Sequence, residues 1–284
     1  MNQTGLVLEG GGLRGVYTAG ILEFFLNNGI SFPSVIGVSA GACNAASYIS
    51  RQKKRNYAVT VGYAGNPEYL SVKRLFRYGE LFNMDLIFDR IPNQEHIFDY
   101  DRFYTSDQLL YTGVTDCVTG ETIYYEKLEV QGHINTILRA SSSLPMIAPI
   151  VNYDDRAYLD GGISDPIPIN QSLKIGNQKH IIVLTQEKGY QKQPAKRGML
   201  YFSRKYRNYP GLVDVVKRRF IIYNDLLKQV ERMEEEGSAM VFRPDNLHGV
   251  KRIEKDARKL DELYQHGFNH ARERSEELQR FIES

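Results

Sequence analysis

Ser39 sits at the centre of Gly37-Val38-Ser39-Ala40-Gly41, a G-x-S-x-G pentapeptide between an apolar run and a helix-like one. In a nucleophile elbow of this form the serine occupies a sharp strand-to-helix turn. Gly37 and Gly41 then let strand and helix cross without side-chain clashes. The turn exposes the hydroxyl at a helix N-terminus, whose partial positive charge favours a developing anion. A serine so placed needs a base to take its proton. The six histidines, His96, His133, His180, His248, His266 and His270, all fall in polar or irregular stretches and read as surface imidazoles. Asp160-Gly161-Gly162 offers the alternative, an aspartate on a glycine turn. Taken alone, that tripeptide is only a turn signal.

A third segment, Gly10-Gly11-Gly12-Leu13-Arg14-Gly15, lies between an apolar run and a helical one. Residues without Cβ let backbone amides crowd around a small anion. Here the anion would be the oxygen of a tetrahedral intermediate, with Gly10, Gly11 and Gly12 as donors each worth roughly 3 kcal/mol of barrier. Arg14 either orders the loop or reaches a phosphate. The same glycines also satisfy the G-x-G-x-x-G pattern of dinucleotide-binding folds. That reading needs a carboxylate at the end of the second strand to hold a ribose hydroxyl. The second strand ends instead in Ile36-Gly37-Val38-Ser39, so the dinucleotide reading loses its main support.

The elements that must position these segments are legible in part. Leu6-Val7-Leu8 and Val35–Val38 read as short buried strands. Val16–Leu26 has helical spacing and ends at Gly29, and Ala40 opens another helix. Strand–helix–strand–helix in this rhythm predicts a parallel sheet covered by helices. Residues 51–110 mix aromatics, charges and turns and suggest helices with loops. A hairpin is predicted from Thr112–Val118 and Thr122–Glu129 about the Thr119-Gly120 turn. Ile134–Ser141 reads as a helix, and Ile181–Thr185 as a β-branched strand. Further on come a long helix over Leu212–Glu235, a short strand over Ala239–Phe242, and helix over Val250–Phe281 broken near His266-Gly267. A change of character near residue 190 suggests a catalytic domain over 1–190 and a mainly helical extension over 191–284.

With 284 residues the chain can bury roughly three quarters of its unfolded surface. Hydrophobic residues at 42% and charged residues at 25% are ordinary soluble usage and exclude a disordered chain. From Gln191 to Arg232 eleven Lys and Arg face only Asp214, Asp225 and Glu231, a balance of +8. Because the whole chain carries +2, the remainder carries −6. In that stretch Tyr201, Phe202, Tyr206 and Tyr209 alternate with Arg204, Lys205 and Arg207, a pattern suited to an anionic lipid surface. No nucleic-acid reading module accompanies it, and a solvated helix face is the plainer alternative. Cys43 and Cys117 form no disulfide framework or zinc spacing and read as small buried hydrophobes. No calcium loop appears either, so neither metal nor cofactor is expected. The start of the chain has no basic and apolar leader, and no run is long enough to span a membrane. The expectation is a cytoplasmic protein that touches membranes from outside.

Glycine loop, G-x-S-x-G about two dozen residues later, and D-G-G well downstream together resemble the patatin-like phospholipases. Gly20-Ile21-Leu22 looks like that family's first helix. Ala140-Ser141-Ser142-Ser143-Leu144-Pro145 and Asp165-Pro166-Ile167-Pro168 resemble the segments flanking its aspartate. The similarity covers about residues 5–186, and Gly211–Phe281 is similar to the C-terminal extension of bacterial members. The resemblance implies a three-layer α/β/α fold, a Ser-Asp dyad and hydrolysis of acyl lipids, with Ser39 as nucleophile, Asp160 as base and Gly10, Gly11 and Gly12 around the oxyanion. An acyltransferase with the same dyad and a silent lipid-binding module are the alternatives. Asp165 departs from the family's usual asparagine.

Overall fold

The computed structural model describes residues 4–195 and 198–284. In chain order its strands are β1 (Thr4–Leu8), β2 (Ser34–Val38), β3 (Leu109–Asp116), β4 (Thr122–Glu126), β5 (Val151–Tyr153), β6 (Arg156–Asp160), β7 (Lys179–Val183) and β8 (Ala239–Phe242). They form one sheet of order β5-β6-β3-β2-β1-β7-β8, with β4 also on β3. The β3–β2–β1–β7–β8 pairings are parallel, and the β3–β4, β3–β6 and β5–β6 pairings antiparallel.

Alternation along each strand divides the core between two faces. Leu6, Leu8, Ile181 and Val183 face one side, together with buried residues of α1 (Val16–Asn27), α2 (Ala40–Ile49), α6 (Ile134–Ser141) and α10 (Ala257–Glu273). Val7, Ile36, Ile182 and Val241 face the other, under α7 (Ile169–Lys174) and the Tyr223, Leu226 and Val230 stripe of α9 (Pro210–Glu235). The result is the expected three-layer α/β/α arrangement. Smaller helices α3 (Arg55–Thr60), α4 (Val72–Tyr78) and α5 (Tyr100–Thr105), with a π-helix over Leu86–Glu95, fill the irregular middle. Two more, α8 (Met199–Lys205) and α11 (Ser275–Glu283), lie in the last third.

Several expectations need correction. The helix expected from Val250 to Phe281 begins only at Ala257, runs unbroken through Gly267 and breaks at Arg274. Gly267 marks a close approach rather than a break. A Cβ there would lie 2.1 Å from the Tyr17 carbonyl of α1, and a Cβ on Gly20 would lie 2.1 Å from the Tyr264 carbonyl of α10. The two helices thus touch backbone to backbone, which only glycine permits. Residues beyond 190 also supply β8, which is hydrogen-bonded into the same sheet as β1 and β7. The short strand β5 had no sequence signal. Within the basic stretch, Lys196 and Arg197 lie outside the described residues, and Phe202 and Tyr206 are buried in a core cluster with Leu212 and Val215. Tyr201 remains exposed. No helix among the described residues is long and apolar enough to cross a membrane.

Candidate active site

The antiparallel turn of β6 onto β3 decides where the site forms. Along β3, Gly113 pairs with Val38 at the end of β2, and the next residue, Val114, pairs with Asp160 at the end of β6. Because Val114 also pairs with Ile123 of β4 on its other side, β6 takes up the edge of β3 where β2 stops. Residue 39 and residue 160 therefore leave the sheet side by side. Gly113 and Gly161 allow this closeness, since a Cβ on Gly161 would meet the Gly113 carbonyl at 2.1 Å.

Ser39 adopts φ 54° and ψ −128° between β2 and α2, backbone that costs a non-glycine residue about 1–3 kcal/mol. Its neighbours leave room for the turn. A Cβ on Gly37 would lie 2.7 Å from the Ala42 nitrogen, and one on Gly41 2.5 Å from the Leu8 carbonyl. The Ser39 amide donates to Ser141 Oγ at 2.8 Å, and that hydroxyl donates to the Gly113 carbonyl at 2.6 Å. Ser39 Oγ donates to Asp160 Oδ2 at 2.7 Å. Asp160 Oδ1 accepts from the Gly162 amide at 2.8 Å, while its backbone amide donates to the Ser143 carbonyl at 2.9 Å. The Asp160 carboxyl is buried, which raises its pKa above the usual carboxylate range. The Ser39 hydroxyl, then the Arg219 and Arg252 charges and the Gly162 amide, act in the opposite direction.

The glycine loop curls beside Ser39. The Gly10 amide donates to the Pro166 carbonyl at 3.3 Å, and the Leu13 amide to the Arg252 carbonyl at 3.0 Å. Between them the amides of Gly11 and Gly12 have no protein acceptor among the described residues. Gly10 contributes proximity instead of a free donor, since a Cβ there would stand 3.2 Å from Ser39 Cβ. Gly12 has φ 58° and its α-carbon faces the Arg252 carbonyl, while Gly15 packs on Ala40. A cavity of about 140 Å³ opens in front of Ser39, walled by apolar groups including Val16, Tyr69, Phe82, Met84 and Ile147. Cys43 also lines it, half-buried and bonded to Ser142 Oγ at 3.4 Å. Burial pushes its thiol up to about 11, so it stays protonated.

Arg14 and the basic stretch were visible in the sequence, but their convergence with Glu9 near the site was not. Glu9, buried just before the glycine loop, accepts from the Thr185 amide and from the Tyr223 hydroxyl at 2.9 Å, which ties α9 to β1 and β7. Arg219 of α9 donates through Nε to the Gly162 carbonyl at 2.8 Å, next to the Asp160 turn. Burial, then repulsion from Arg252, lowers its pKa to about 10. Lys192 is lowered to about 7 by burial, then by Arg219 and Arg252. Arg14 is also lowered, by burial and then by Arg252, and its Nε has no protein partner among the described residues. Three arginines and Lys192 thus gather where Glu9 and Asp160 are the carboxylic acids that act on them. Only a helical face crossing over the sheet brings residues 192 and 219 to residue 14, and no local spacing encodes that.

Asp165 lies nearby, half-buried against the Tyr124 hydroxyl, which donates to it at 2.6 Å. Burial raises its carboxyl to about 7.

A family model described as Patatin-like phospholipase matches residues 6–173, more than half of the chain. The chain belongs to this patatin-like phospholipase family. It is therefore a serine hydrolase of the class that acts on carboxylic esters of lipids. Residues 209–283 match a second model, a domain of unknown function named DUF6363. The chain is similar to the Uncharacterized protein YjjU of Escherichia coli (strain K12), at 28% identity over 86% of this chain and 70% of that one. It is 25% identical to Lysophospholipase NTE1 of Scheffersomyces stipitis over 94% of this chain but only 17% of that protein. Probable lipid hydrolase 463L of Invertebrate iridescent virus 6 is 23% identical over 62% of this chain and 65% of that one.

Proposed function

We propose that this patatin-like chain hydrolyses phosphate-bearing lipids of lysophospholipid type through a Ser39–Asp160 dyad. The observation that carries the reading is the 2.7 Å hydrogen bond from Ser39 Oγ to Asp160 Oδ2 at an elbow facing an apolar cavity. Ser39 Oγ attacks the ester carbonyl while its proton passes to Asp160 Oδ2. The carbonyl oxygen, now an anion, is received by the amides of Gly11 and Gly12, aided by the N-terminus of α2. As the tetrahedral intermediate collapses, the alcohol oxygen leaves and takes the proton from Asp160. Water then attacks the acyl-serine, gives its proton to Asp160, and releases the fatty acid with Ser39 restored.

A narrow apolar cavity suits one acyl chain. Arg252 lines the cavity, and Arg14, Lys192 and Arg219 cluster with it, which suits a phosphate on the leaving side. The relative named a lysophospholipase is in keeping with that choice. The enzyme would meet such substrates at a lipid surface. Exposed Phe76 and Tyr78 on α4 stand beside Lys73 and Arg77, and exposed Leu200 and Tyr201 on α8 stand beside Arg204 and Lys205. Vesicle flotation with neutral and anionic lipid tests this, and the Phe76→Asp/Leu200→Asp variant should lose the anionic-lipid binding. The substrate reading is tested by comparing a lysophospholipid with a monoacylglycerol of the same chain. We expect kcat/KM at least tenfold higher for the phosphate-bearing lipid, with the advantage lost in Arg252→Met. Equal rates on both would refute the phosphate preference.

A further inference from the structure

Away from the cavity, Asp245, His266 and His270 converge, and one ligand atom from each lies within 4.8 Å of the others. Asp245 comes from the loop after β8, whereas His266 and His270 stand four residues apart on α10. That spacing puts both imidazoles on one helix face, the arrangement by which helices present paired histidines to zinc. Their rings stack with centroids 6.0 Å apart and planes 21° apart.

Each ring is held from behind through Nδ1. His266 Nδ1 faces the Asn246 carbonyl at 3.2 Å, and His270 Nδ1 faces the Tyr17 hydroxyl at 2.6 Å. His266 Nδ1 also faces His248 Nε2 at 3.3 Å, and with its proton given to the Asn246 carbonyl, Nε2 keeps a lone pair for an ion. Such an outer partner fixes tautomer and ring orientation in metal sites. His266 Nε2 lies 3.9 Å from Asp245 Oδ2. The Arg274 guanidinium, the nearby cation, is occupied by Glu277 at 2.7 and 2.8 Å and the Val241 carbonyl at 2.6 Å.

We propose that Asp245, His266 and His270 form a divalent transition-metal site, with zinc as the ion it suits, completed by water. Two imidazoles and one carboxylate match the borderline donor set of zinc, while the all-oxygen preference of calcium and magnesium does not fit. Tetrahedral ligands at about 2.0–2.1 Å stand roughly 3.3 Å apart. The Asp245 side chain, 86% exposed, can swing in to close the gap. A bound ion would join the β8–α10 loop to α10 and, through Tyr17, to α1. The same loop leads to Arg252, whose carbonyl holds the Leu13 amide at 3.0 Å, so the ion would brace the glycine loop from outside.

The test is calorimetric titration of tag-free, chelator-stripped full chain with zinc chloride, alongside magnesium chloride and thermal melts. We expect one zinc per chain, no saturable magnesium binding, and a melting temperature raised by about 5 °C at 100-fold excess over Kd. Asp245→Ala, His266→Ala and His270→Ala should each weaken zinc at least tenfold. Tyr17→Phe should do so by about tenfold through the lost outer contact, whereas His133→Ala should leave affinity within twofold. Asp245→Ala keeps the test decisive, since removing so exposed a side chain leaves the metal-free melting point in place. Absence of saturable zinc binding, or equal affinity in wild type and Asp245→Ala, would overturn the site.

Discussion

Removing the Ser141 hydroxyl tests how the strained serine is held. In Ser141→Ala, the Ser39 amide loses its acceptor at 2.8 Å and the Gly113 carbonyl its donor at 2.6 Å, both in a fully buried place. Each buried polar group left without a partner costs about 1–3 kcal/mol. The small residual void adds little, so the fold should lose about 3 kcal/mol. Catalysis should suffer separately. Ser39 sits at φ 54° against its intrinsic preference, and the Ser141 contact is the bond that clamps its amide there. An error of about 1 Å in a nucleophile can cost 10²-fold in rate. We therefore expect kcat on a soluble chromogenic ester to fall about 10- to 100-fold with KM within about twofold. Urea unfolding followed by circular dichroism, with kinetics well below the transition, measures both effects. A variant destabilised as predicted but turning over at the wild-type rate would refute the clamping argument.

Three further outcomes follow from the same geometry. Gly20→Val, whose Cβ would press on the Tyr264 carbonyl of α10, should destabilise the chain by about 3 kcal/mol in urea melts, because backbone cannot rotate away. The raised carboxyl of Asp160 must be ionised to accept a proton, so kcat/KM should fall with acid at a pH above the ordinary carboxylate range, and a titration limb at or below about 4 would contradict its burial. Asp165 has a folded value near 7 against about 3.9 unfolded, so its stabilising contribution is present below pH 4 and is lost as pH rises through 7. Asp165→Asn should accordingly be more stable than wild type at pH 8 by up to about 4 kcal/mol, with little difference at pH 4.

The segments that converge at the candidate site were legible because each depends on local backbone demands. An elbow needs glycines two places either side of its serine, and a Cβ on Gly37 or Gly41 would fall within 3 Å of crossing backbone. Alternation and helical spacing likewise revealed most elements, including α6 with both ends. What was missed depends on contacts distant in sequence. Gly267 resembled a helix breaker because its reason lies on α1, about 250 residues earlier. Phe202 and Tyr206 resembled membrane anchors because nothing local shows that Leu212 and Val215 cover them. Cys43 was expected in the core but lines the cavity, and His266 and His270 resembled surface imidazoles because Asp245 and Tyr17 reach them from other elements. Glu9, Lys192 and Arg219 belong to the site only once α9 crosses the sheet.

The most direct test of the central claim is labelling with a fluorophosphonate, which forms a covalent bond only with an activated hydroxyl. Intact-mass and peptide mass spectrometry should find one adduct per chain, on Ser39, absent in Ser39→Ala and slowed by several orders of magnitude in Asp160→Asn while both variants keep the wild-type circular dichroism spectrum. An adduct on another serine, or an Asp160→Asn variant labelled at the wild-type rate, would contradict the Ser39–Asp160 dyad.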